Sequence, residues 1–171
     1  MSKLLSHDDS FVRLGAVFTM GGIVGPWQTG PWQSSGGLVE RWSDLPGLEE
    51  LSSSQLKTKA EALGGALIDE DHIPALASAD ALIRMGPSAK PALPQAIRLL
   101  GRSYRLFTWQ APVKVTRMIA AIGPQAAAAV PKLVKIVEKE KGQAPGKIMA
   151  LAAIGPSAMR SIPVLEKYAS R

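Results

Sequence analysis

The sequence predicts an all-α fold, a short α-solenoid of stacked helix pairs with one irregular Trp/Gly/Pro-rich insertion. Three observations predict it. A Gly-Pro punctuation recurs three times at a solenoid spacing, and apolar residues around it recur every three to four positions. The runs that precede each Gly-Pro are also rich in alanine, which lets neighbouring helices approach closely.

The repeats align without gaps. They are Gly86-Pro-Ser-Ala-Lys-Pro-Ala-Leu-Pro94, Gly123-Pro-Gln-Ala-Ala-Ala-Ala-Val-Pro131 and Gly155-Pro-Ser-Ala-Met-Arg-Ser-Ile-Pro163, and their glycines lie 37 and then 32 residues apart. Glycine tolerates the left-handed backbone that closes a helix, and the proline after it cannot continue that helix. The second proline falls in the first turn of the next helix, where its missing N–H costs nothing. The unit therefore reads as helix, Gly-Pro stop, tight turn and proline-started helix. A single such hairpin cannot bury its own apolar side, so the pairs must stack.

Taken from the N-terminus, residues 1–26 form a helical region, a degenerate repeat. Its apolar core Leu14–Gly25 holds 12 residues, four of them glycine, against the roughly 20 that span a bilayer. Asp8 and Asp9 precede it, where a secretory signal would be basic. It is read as a helix rather than a membrane span, with a signal or anchor at residues 11–25 as the alternative. Residues 27–54 are an insertion, in which Gly-Pro-Trp-Gln occurs twice and which contains Trp27, Trp32 and Trp42 among Gly, Ser and Pro. Its tryptophans either dock a partner, as binding hot spots often do, or cover the exposed end of the solenoid or the gap made by the insertion.

Residues 55–171 are the repeat array. Ser52 and Gln55 fit a capping box, and Leu56, Ala60, Leu63 and Leu67 mark one face of the helix that follows. Lys57 faces Glu61 four residues on, while Gly64 and Gly65 weaken that helix. Asp71 is placed to cap a helix over Ile73–Met85. Beyond the stops, Leu93, Ile97 and Leu100, and then Val130, Leu133, Val134 and Val137, recur at helical steps. The chain ends on a half repeat, Ser161–Arg171, whose outer side calls for a partner or a cap.

A run ending Ala-Ile-Gly-Pro, then an Ala-rich turn and Val-Pro-x-Leu, resembles the HEAT-like repeats of the bacterial phycobilisome-lyase type. In that family the second helix of a repeat opens with Val-Arg and closes with Leu-Gly-x-Ile-Gly-Pro. Val12-Arg13-Leu-Gly-Ala16-Val-Phe-Thr-Met20-Gly21-Gly-Ile23-Val-Gly25-Pro26 is similar to such a helix with one residue inserted. The resemblance covers residues 8–26 and 71–171. The sequence departs from the pattern where Pro74, Pro112 and Pro145 stand near helix openings in place of Val-Arg and its companion Asp. The 61 residues from Gly25 to Gly86 mark the insertion.

The charge is lopsided. Residues 1–85 carry 6 Lys+Arg and 11 Asp+Glu, whereas residues 86–171 carry 14 and 3, a net of −5 against +11. A basic half of this size attracts nucleic acid, anionic lipid or an acidic protein, unless its lysines only solubilise outer helix faces. The chain has no cysteine, which removes disulfides and thiolate chemistry but fixes no compartment; the cytoplasm is the favoured expectation.

Catalytic patterns are missing. His7 and His72 each stand beside an aspartate without the repeated His-Glu pairs of HEAT-repeat metalloenzymes, and Asp69-Glu70-Asp71 reads as a solvated helix start. The Gly-Gly pairs match no nucleotide fingerprint, and no Gly-x-Ser-x-Gly elbow exists. The expectation is a non-enzymatic scaffold without cofactor or metal.

For its partner site, the resemblance implies that the second helices line a concave surface. Arg84, Lys114, Arg117 and Lys147 are expected to form a basic stripe there, flanked by Tyr104 and Trp109, with Trp27 and Trp32 as a separate aromatic candidate. Asp80 is the one acid near the stripe, and Lys132, Lys135 and Lys139 are expected to face bulk water from a first helix. The leading reading is a scaffold or assembly subunit that binds another protein; the alternative is a nucleic-acid-binding module using the basic half. A lyase-like or chaperone-like role with a chromophore is a third option that no residue supports.

Overall fold

The computed structural model describes residues 2–21, 51–101, 110–142 and 144–169. Their regular structure is all helical, with no strand among the described residues. Most of the expected insertion, with Trp27 and Trp32, lies outside them, as do Tyr104 and Trp109.

The helices are α1 (Ser10–Gly21), α2 (Ser53–Ala66), α3 (His72–Met85), α4 (Leu93–Leu99), α5 (Gln110–Ile122), α6 (Val130–Lys139), α7 (Pro145–Ile154) and α8 (Ile162–Ala169). Local chemistry explains their ends. Ser52 caps α2 in a complete capping box with Gln55, and the Asp71 carboxylate accepts from the Ile73 N–H at the start of α3. Pro94 and Pro131 sit in the first turns of α4 and α6.

The Gly-Pro stops behave as the sequence implies, with one refinement. Gly86, Gly123 and Gly155 have φ of 56°, 66° and 67°. For Gly86 and Gly155, ψ is −129° and −135°, the mirror image of extended backbone rather than the left-handed helix. The following proline is the reason: its ring disfavours helical backbone in the residue before it, so a glycine with positive φ is driven to the extended mirror region. The turn expected after each stop is a seven-residue 3-10 segment: Gly86–Ala92, Gly123–Ala129 and Gly155–Ser161. A proline near each end removes the N–H groups that would join these segments to an α-helical ladder.

The elements pack in two rows. In one, α1 lies against α3, α3 against α5, and α5 against α7. In the other, α2 lies against Gly86–Ala92, which contacts Gly123–Ala129, which contacts Gly155–Ser161. The same close approach recurs along the first row. A Cβ at Gly86 would meet the Ala121 carbonyl oxygen at 3.7 Å, and one at Gly123 the Ala153 carbonyl oxygen at 3.8 Å. Ala121 and Ala153 each precede their own Gly-Pro glycine by two residues, so the two contacts are equivalent.

The core runs between the rows. Leu63, Leu82, Met118, Ile119, Ile122, Leu133, Leu151 and Ile154 are its largest fully buried side chains. Buried hydroxyls are satisfied by backbone carbonyls: Ser78 of α3 donates to the Leu63 carbonyl of α2, and Thr116 donates to the Pro112 carbonyl at 2.7 Å. Between α1 and the turn before α3, Arg13 is held by Asp69, with Nε to Oδ2 at 2.6 Å and Nη2 to Oδ1 at 3.0 Å. Its Nη1 donates to the carbonyls of His7 and Asp8 at 2.6 and 2.8 Å. The hydrogen bonds to Asp69 push the guanidinium pKa above its ordinary value.

Two stretches, Pro112–Lys139 and Pro145–Tyr168, are long and apolar enough to cross a membrane by length and composition. In the fold each is broken at a positive-φ glycine into shorter helices, of which α5 is 13 residues long.

Candidate partner-binding face

The Gly-Pro register decides which side chains of the first row face outward. Six residues before each glycine stand Asp80, Arg117 and Met149; two residues before stand Arg84, Ala121 and Ala153. Residues eight before, Ser78 and Val115, are buried. The outward positions therefore form two parallel lines across α3, α5 and α7, one helical turn apart.

The sequence-predicted cations divide on this grid. Arg84 and Arg117 are exposed, and among the described residues neither makes an ion pair. Lys114 is part-buried and its ammonium is bonded to the Asp80 carboxylate across the α3–α5 seam. Lys147 departs from the expected stripe. It is eight residues before Gly155, the position of buried Val115 and Ser78, so its stem lies inward and its Nζ reaches Glu140 Oε2 at 3.3 Å. Two of the four expected cations are thus neutralised within the chain. Solvent-accessible pairs of this kind stabilise by only about 0.2–1 kcal/mol, but they remove charge from the surface.

Two further features were missed from sequence. Met149 is 70% exposed in line with Arg117, and Val113 is 46% exposed one turn before it. Counting from the Gly-Pro would have placed Met149 outward; its apolar character hid it within a run read as core. On α6, Lys132 does not face bulk water as expected. Its Nζ donates to the Ile97 carbonyl at 2.6 Å and to the Arg98 carbonyl at 3.4 Å, closing the last turn of α4. Lys135 and Lys139 are exposed as expected.

A cleft of about 270 Å³ opens where α4, α5, α6 and α7 meet, with Leu100, Val115 and Ile136 in its wall and the Lys147–Glu140 pair at its edge. No grouping of three or more His, Asp or Glu able to hold a metal ion occurs among the described residues. Comparison of the chain with protein-family models, curated proteins and solved structures gives no match.

Proposed function

We propose that the chain is a HEAT-like α-solenoid scaffold that binds another protein through the outward face of α3, α5 and α7. The observation that carries this reading is the recurring register. Equivalent residues of three successive helices stand in line, and the Gly86–Ala121 approach is repeated at Gly123–Ala153. Repeated units of this kind make an extended surface in which each unit contacts only its neighbours. The likeness of the Gly-Pro repeats to HEAT-like repeats supports the same reading. Among the described residues, no group of titratable side chains on the face is arranged for acid–base or nucleophilic work, and the proposed role is non-enzymatic.

The nucleic-acid alternative draws on the net +11 of residues 86–171. The internal pairing of Lys114 and Lys147 weighs against a phosphate-binding stripe. Purification of the tagged chain from its own cells at moderate salt separates the two. The scaffold reading expects a defined protein in fixed ratio. Nucleic acid that leaves only after nuclease treatment, with no protein retained, would overturn it.

A further inference from the structure

Resting on that scaffold reading, we infer that the α3–α5–α7 face receives an acidic amphipathic helix, with carboxylates meeting Arg84 and Arg117 and apolar side chains meeting Met149. Charge complementarity identifies the occupant. Asp80, the acid in line with Arg117 on this face, is already engaged by Lys114, and among the described residues neither arginine has an ion-pair partner. The net +11 of residues 86–171, which carry α5 and α7, adds a long-range attraction for an acidic partner.

Spacing and shape favour a helix. Neighbouring helices pack at about 8–10 Å, and Arg84 lies one turn further along its helix than Arg117 does, so the two guanidinium stems start roughly 10–12 Å apart. Two turns of a partner helix cover about that distance. Met149 lies one helix beyond Arg117 in the same line, and Ala121 and Ala153 leave low relief beside it. No sheet edge exists among the described residues, so an extended segment would find no main-chain partners here, whereas a helix satisfies its own. Both arginines can grip a carboxylate in bidentate fashion, which a lysine cannot.

The test uses the full chain and a fluorescent synthetic peptide of about 18 residues, five helical turns, with Glu and Leu segregated on adjoining faces. A scrambled peptide of equal charge and a short DNA duplex are the comparison probes. The inference expects the amphipathic peptide to bind more tightly than either. Arg84→Glu with Arg117→Glu should weaken it by about tenfold or more, and Met149→Glu should also weaken it. Lys90→Glu with Lys135→Glu, both outside α3, α5 and α7, should change it by less than about threefold. Arg84→Ala with Arg117→Ala checks that the effect is loss of grip and not local repulsion. Equal binding of the scrambled peptide, indifference to the arginine variants, or failure of the peptide to bind at low salt would each overturn the inference. In those cases a protein retained at moderate salt leaves the scaffold reading standing; preference for the duplex together with retained nucleic acid removes both.

Discussion

Leu133 gives the sharpest energetic test of how the helix pairs stack. It lies ten residues after Gly123, and Leu165 lies ten after Gly155, so the two occupy the same place in successive pairs. Leu133 is 0% exposed, whereas Leu165 is only part-buried against the same core. Leu133→Ala removes three carbons from a packed interior and leaves a cavity that its neighbours on both sides cannot fully close. That should cost about 2–5 kcal/mol. Leu165→Ala removes the same atoms from a site already open to water and should cost about 1 kcal/mol. For a chain of this size the first corresponds to a fall in Tm of roughly 5–15 °C and the second to a few degrees. Urea and thermal unfolding followed by circular dichroism at matched m-values would measure both. Equal losses, or a loss below about 1 kcal/mol at Leu133, would refute the claim that it is enclosed between flanking pairs.

Two more outcomes follow from local geometry. Gly142 closes α6 with φ at 83°, and a Cβ there would stand 2.6 Å from Tyr168 Cβ. Gly142→Ala should therefore lower stability by about 2 kcal/mol or more, combining the backbone penalty with displacement of α8, and chemical denaturation would read it. Lys132→Met keeps the stem but loses the hydrogen bonds to the end of α4, so it should cost about 1 kcal/mol. An unchanged midpoint would return Lys132 to the solvent-facing role its sequence position suggested.

Much of this architecture was legible because it rests on local chemistry. The Gly-Pro stops, the Ser52–Gln55 box, the Asp71 cap and the proline-started helices all depend on residues within one turn of each other. The 3-10 segments were not foreseen, since a tight turn and a seven-residue 3-10 stretch place the same prolines at their ends. The face was legible only in part. Helical periodicity tells which side a residue takes, so the outward positions of Arg84 and Arg117 were legible. It does not tell what a long side chain can reach, and Lys114–Asp80 and Lys132–Ile97 span 34 and 35 residues of sequence. Lys147 leaves the expected stripe because its register points inward: a flexible stem can lie inward while its ammonium finds Glu140 at the rim. Arg13 and Asp69, 56 residues apart, met for the same unreadable reason.

The central claim is that equivalent residues of successive pairs stand in line at regular spacing, and the chain lacks cysteine, so spin labels can be placed without background. Labels introduced in pairs at Arg84, Ala121 and Ala153 should report two similar short separations, 84 to 121 and 121 to 153, each near the helix spacing of about 10 Å. The 84-to-153 separation, measured by pulsed electron paramagnetic resonance, should be close to their sum, about 20 Å. An 84-to-153 distance no longer than the other two, or a first and second step that differ by more than the reach of the label arms, would contradict the stacked register on which the scaffold reading depends.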